Sequence, residues 1–395
     1  MLLGPGERDR LRELEWPEDD RDLAGAEPAV RVRVPGAPER QRLARHPDGR
    51  CVYLGPDDRC RIHKRFGADA KPLMCRLYPF GFYPMGERTA VDLSFTCRAV
   101  SLGQGAPAGE LEPEWIRLLE AAAPADRRRH RLRERIEIDA GLMWELEHLI
   151  LGLLEDRSLD LFQRVRAVLQ LARLGTTGDP RLPTAKLLRE AMARGIPKQI
   201  RDRPSSATLD KTQRAIFHQW LFLALNPLSD AFLSLSRADQ EAETRRRVGL
   251  GERYRKASSH PWVDHRELGA TFAEVGRTGF ALEEPALTAP LELFLRAKIV
   301  SQKFLVAGDE ELPFVEAIHK FLLVFPMTVW TAKALAADRD AATAAEADVR
   351  AALRLVDRTL GQMPISQLPS KQAEACDYVM LETDLVEAAS RDLLG

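Results

Sequence analysis

Four of the chain's five cysteines fall between Cys51 and Cys97. They stand as C-x8-C-x14-C-x21-C at Cys51, Cys60, Cys75 and Cys97, and the fifth, Cys376, lies far down the chain. Thiols that only fill core gaps are scattered, so a cluster asks for a cause: a metal centre, disulfides, or coincident packing. Disulfides need an oxidising compartment. The opening MLLGPGERDRLREL has no charged region followed by an apolar stretch, so the sequence reads as cytoplasmic, which disfavours disulfides. A cysteine cluster in such a setting points more often to metal binding or catalysis. Cys51, Cys60, Cys75 and Cys97 are therefore the candidate metal ligands, with packing kept as the bland alternative. Four thiolates satisfy a tetrahedral zinc site and equally a four-cysteine iron–sulfur cluster. Spacings of 8, 14 and 21 lack the close C-x2-4-C pairs of structural zinc sites.

The charge around the cluster fits a thiolate centre. From Arg50 to Arg98 there are nine basic residues against five acids, whereas the whole chain carries a net charge of −1. Cations lower thiol pKa values and compensate an anionic centre. The plainer reading is that these side chains decorate exposed loops. Of eight histidines only His63 lies inside the cluster, as a further ligand, a hydrogen-bond donor to a ligand or a packing residue.

Several groups of residues in this stretch resemble one family. Cys51 is followed by Tyr53 and Leu54, similar to a C-x-x-L element. Asp58-Arg59-Cys60-Arg61-Ile62-His63 resembles D-G-x-C-x-I-H/Y, and Lys71-Pro72 through Cys75-Arg76-Leu77-Tyr78-Pro79-Phe80 resembles R/K-P-x-x-C-R-x-Y-P-F. Cys97 matches a later cysteine after a strand-like segment. The compound pattern resembles the YkgJ-type cysteine-cluster family, taken to chelate zinc or iron, and its relatives the flagellin lysine-N-methylases of FliB type. The resemblance covers about residues 1–100. It implies a zinc or iron–sulfur centre on the four cysteines. Through the methylases it also implies S-adenosylmethionine as methyl donor and a protein substrate such as flagellin. The family's opening C-x-x-C-x-x-C-C-like run is missing. Glu7 to Trp16 resembles the helix that follows that run, as a late start, a truncation or a genuine loss would leave it. An intact set would exceed four cysteines and lean towards iron–sulfur.

The elements that must carry these residues change character along the chain. Residues 7–15 read as a short helix, Val30–Val34 as a strand, and Ile62–Phe66 as a helical turn. Thr89–Phe95 reads as a strand by its alternation. Pro79 and Pro84 forbid a long helix through Tyr78, Phe80, Phe82 and Tyr83. Those aromatics suggest a dry shell for the cluster rather than a nucleic-acid stacking surface. The glycine- and proline-rich 101–111 reads as a linker. Beyond it helices are expected at 126–154, 159–174, 184–194, 210–225, 229–256, 290–305, 312–337, 340–360 and 369–392, with 257–290 less regular. In the first of these, Arg127 to Arg135 form a basic half and Leu142 to Leu153 an apolar one. Cys376 reads as a core thiol on the last helix. Pro326 is expected to kink or end the 312–337 helix.

Hydrophobic content of 45% and charged content of 30% suit an ordinary globular protein. A near-zero net charge gives no pull towards nucleic acid or acidic membranes. The longest uncharged run, Ala215–Ser229, is too short to span a bilayer. There is no phosphate loop, no H-E-x-x-H helix and no G-x-S-x-G elbow, and no residue of the helical part stands out as catalytic or cofactor-binding. The expected fold is mainly α: an irregular cysteine-cluster domain with a few short strands over 1–100, a linker at 101–111, and an all-α domain over 112–395. The expected function is metal chelation by the cysteine cluster, extending to lysine N-methylation if the methylase resemblance carries. The alternative is a non-catalytic interaction protein whose cluster only stabilises its domain.

Overall fold

The computed structural model describes residues 3–17, 20, 23, 27–32, 40–46, 50–85, 88–122, 130–133, 136–177, 195–203, 205–227, 232, 236–307, 310–360 and 383–394. The fold is mainly α, and among the described residues the short strands pair two at a time. The chain divides into two compact units. The smaller holds Met1–Gly81, Ala106–Pro124 and Leu228–Thr244, and the larger holds the remainder. Residues 82–105, including Cys97, thus belong to the larger unit. Cys376 and the 184–194 helix expected from sequence lie outside the described residues.

The smaller unit is built on little apolar surface, so charged groups order its backbone. Its first helix, Glu7–Arg12, starts after Gly6 in the left-handed region at φ 73°. The buried Glu7 carboxylate accepts from the Gly4 N–H at 2.7 Å and from the Leu73 N–H at 2.6 Å, tying this helix to the start of Leu73–Leu77. Arg8 and Arg12, one turn apart, both bind Glu27, which leads into the strand Ala29–Val32. That strand pairs antiparallel with Arg40–Leu43. Arg61 and Arg65 of the helix Arg61–Phe66 both reach Asp20, at 2.6 Å each. Leu11, Leu23, Leu43, Tyr53 and Ile62 form the small core, and Trp16 stacks on Tyr53 at 5.7 Å. In the helix Ala108–Ala122, Trp115 meets Phe80 edge-on at 5.7 Å.

The larger unit has a continuous core. Its centre is Phe314–Leu322 and Val324–Ala337, packed against Leu161–Thr177, Phe272–Arg277, Glu346–Leu360 and Thr383–Leu394. Among the described residues, Phe314–Ala337 is the one stretch long and apolar enough to cross a membrane, and 89% of its apolar window is buried inside the fold. The break falls at Leu323, three residues ahead of Pro326. The proline sits in the first turn of the second helix, where its missing N–H has no intrahelical bond to lose.

The single helix expected over Asp126–Leu154 is not formed. Arg131–Arg133 pairs with Ile136–Glu137 as a hairpin, and the helix begins only at Ala140. Asp139 is the reason for the late start: its carboxylate accepts from the Leu142 N–H at 2.8 Å and caps the helix. Leu132 points into the core. Arg131, counted in sequence with a basic helical face, donates to the Glu311 carbonyl at 2.6 Å. The helix expected at 229–256 runs from Arg237 to Arg255, and that expected at 290–305 from Pro285, a favoured first position, to Val300.

Candidate functional site

The C-x8-C spacing closes a tight loop. Leu54 and Cys60 form an antiparallel bridge, and the Arg61 N–H donates to the Tyr53 carbonyl at 2.8 Å. Between them Gly55 and Arg59 bond at 2.8 Å, with Asp58 at φ 57°, a conformation that aspartate tolerates better than most residues. The loop returns Cys60 to the neighbourhood of Cys51, which itself bridges Arg45. Cys60 then caps the helix Arg61–Phe66, its carbonyl accepting from Lys64. Cys75 lies in Leu73–Leu77, the helix whose first N–H is held by Glu7.

Cys51, Cys60 and Cys75 are all half-buried thiols packed against the same small core, and none is in a disulfide. They lie close enough for charge on one to be felt by another. Burial pushes the Cys51 thiol up, with Cys60 adding to the rise. Burial likewise pushes Cys75 up to about 11, reinforced by Cys51 and only partly opposed by Lys71. Desolvation therefore outweighs the local positive charge. Much of that charge is spent on carboxylates: Arg61 and Arg65 on Asp20, Lys64 on Asp57 at 3.5 Å, and Arg76 on Asp69 at 3.4 Å. Cys97, in the larger unit, precedes the short helix Arg98–Ser101, its carbonyl accepting from Ser101 at 2.9 Å. His63 is exposed. Among the described residues, no group of three or more His, Cys, Asp and Glu side chains is arranged to hold a metal ion. The trio thus suits a thiophilic metal in donor chemistry, and its side chains would have to close on the ion, as loop-rich domains do when metal binding and folding are coupled.

A second constellation, which the sequence reading did not reach, lies wholly in the larger unit. Lys298, on the buried face of Pro285–Val300, donates to Asp92 at 3.0 Å and to the Leu93 carbonyl at 2.9 Å, and pairs with Asp357 at 3.1 Å. Ser301 donates to the other Asp92 oxygen at 3.0 Å, and the Phe95 N–H donates to Asp357 at 2.8 Å. Burial pulls Lys298 down, but Asp357 and Asp92 outweigh it and hold it above its ordinary value, so it stays charged. Burial pushes Asp92 up against the pull of Lys298. Asp357 and Lys298 border a small cavity, partly open to solvent, whose wall also carries Lys303, Lys320, Phe304 and Phe321. The signal in the sequence is a lysine inside a largely apolar run, as in LFLRAKIV and VEAIHKFLLVF. Such a charge is buried only when something answers it.

No family model, curated protein or solved structure matches the chain.

Proposed function

We propose that the smaller unit is a metal-chelating module in which Cys51, Cys60 and Cys75 take up zinc or an iron–sulfur centre. The observation that carries this reading is that three half-buried thiols from separate segments pack on one small core, within electrostatic reach of one another. Soft thiolate donors are the ligands that zinc and iron–sulfur clusters select. The test is metal content and visible absorption of protein prepared without oxygen, for the wild type, for Cys60→Ser with Cys75→Ser, and for Cys97→Ser alone. The expected result is stoichiometric zinc, or iron with sulfide, lost in the double variant. Retention in Cys97→Ser assigns the centre to the trio alone. Wild-type protein prepared with zinc and iron supplied and still holding no metal sinks the proposal.

The packing of all three thiols on Leu11, Leu43, Tyr53 and Ile62 favours a second reading, in which they are core residues of a non-catalytic module. That reading expects alanine at Cys60 to lower stability mildly, with no metal to lose. Methyl transfer from S-adenosylmethionine to a protein lysine is supported only by the family resemblance of the cysteine stretch. Radiolabel transfer to purified flagellin tests it separately.

A further inference from the structure

We infer that Arg98 and Arg354 form a binding site for the phosphate group of a phosphomonoester. Arg98 opens the short helix Arg98–Ser101, Arg354 lies on Glu346–Leu360, and these two helices pack together within the larger unit. Arg98 is exposed and Arg354 half-buried. Among the described residues neither guanidinium meets a carboxylate. Arg354 has one hydrogen bond, donated to the neutral Ser101 hydroxyl at 3.2 Å, and the Arg98 side chain has none. The two charges nonetheless lie within reach of each other. Burial lowers the Arg354 guanidinium from its ordinary value, and the charge of Arg98 lowers it further.

The surroundings hold this pair in place without neutralising it. Ser101 is 1% exposed. Its hydroxyl donates to the Arg98 carbonyl at 2.9 Å while accepting from Arg354. Its own carbonyl accepts from Arg350, one helical turn ahead of Arg354. Arg350 also pairs with Glu346 at 2.6 Å, so its charge is answered. One buried serine therefore ties the short helix to two arginines of its neighbour through both of its oxygens. Three guanidinium groups stand against one carboxylate here, and the excess of two falls to Arg98 and Arg354.

Two like charges held side by side repel, and an anion bound between them relieves the repulsion. A guanidinium is a planar fork of donors that matches phosphate oxygens two at a time. Arg354 spends one donor on Ser101, and Arg98 spends none. A phosphomonoester carries a charge of about −1.5 to −2 at neutral pH and three strong acceptor oxygens. That charge answers the excess of two, whereas a monocarboxylate leaves one guanidinium unanswered. A nucleic-acid backbone asks for a longer basic stripe, and the next cation along this helix, Arg350, is already paired with Glu346.

The experiment is calorimetric titration of the full chain, at low salt, with glycerol phosphate, with a short peptide carrying one phosphoserine, and with acetate. The expected result is one-to-one binding of at least one phosphate probe, on the order of tenfold tighter than acetate. Arg98→Gln and Arg354→Gln each weaken that probe by roughly tenfold. Arg98→Gln has no hydrogen bond or ion pair to lose, so the melting temperature of the unliganded protein stays in place or rises as the repulsion on Arg354 is removed. Tighter binding of the peptide identifies a phosphorylated protein as the source of the phosphate, and tighter binding of glycerol phosphate a free small molecule. Equal binding of acetate, phosphate binding unchanged by Arg98→Gln, or no phosphate binding at millimolar concentration overturns the inference.

Discussion

His218 makes the stability of the larger unit depend on pH in a window that few other groups share. It is 9% exposed on Lys211–Leu225, with ring centroids 6.1 Å from Phe217 and 5.5 Å from Phe272, and its Nδ1 has no hydrogen-bond partner. Burial pushes the imidazole down to about 4, against a bond to the Tyr254 backbone, and Arg214 adds to the fall. The folded value lies below the ordinary value of about 6.5, so between the two the unfolded chain binds a proton that the folded one refuses. Stability from this group is complete above about pH 6.5 and is lost as pH falls towards 4. A separation of about 2.5 pH units corresponds to roughly 3 kcal/mol in all, of which about 2 kcal/mol is gone by pH 5.

Glu27, held down to about 2 by Arg8, does not compete there. Its window opens only below about pH 4.5, and its side chain is 43% exposed, so solvent screens it. His265, lowered mainly by burial, acts in the same direction, and a variant at His218 alone separates the two. The assay is urea unfolding of wild type and His218→Leu at about pH 7.5 and about pH 5. The wild type is expected to lose about 2 kcal/mol more than the variant between these conditions. An equal loss in both proteins refutes the reasoning, whatever leucine does to packing at neutral pH, because only the difference between the two pH values is read.

Two further substitutions test how charge holds each unit. Lys298→Met strands Asp92 and Asp357 without their cation and is expected to cost about 3–5 kcal/mol in denaturant unfolding. Adding Asp92→Asn to it should recover part of that loss, and a single-variant cost below about 1 kcal/mol would show the trio to be solvated. Glu7→Ala removes the acceptor of the Gly4 and Leu73 N–H groups. It is expected to cost about 1–3 kcal/mol and to speed hydrogen exchange at the Leu73 amide, and an unchanged exchange rate there would exclude the tie between the two helices.

Local signals in the sequence were read correctly where a few neighbouring residues decide the outcome. The alternation in Thr89–Phe95 becomes the strand Arg88–Leu93, and the short helix after Cys60 runs over Arg61–Phe66. The mainly α fold follows from the long apolar periodicities after residue 112. Misreadings arose where one residue overrides a pattern. The helical spacing of Asp126–Leu154 continues through Asp139, yet a carboxylate that can cap is a stronger instruction than periodicity, and it moves the helix start to Ala140. The cavity lay beyond reach for a different reason. A lysine in an apolar run announces a buried charge without saying what neutralises it, and Asp92 stands 206 positions from Lys298. Only the packing of Arg88–Leu93, Pro285–Val300 and Glu346–Leu360 brings two carboxylates to one ammonium and leaves open space beside it, between phenylalanines. The cysteines show the converse. Their clustering is plain in the sequence, but the pattern alone suggested thiols softened by nearby cations. Folding gives four of those nine cations to Asp20, Asp57 and Asp69, and burial sets the proton affinity of Cys51 and Cys75.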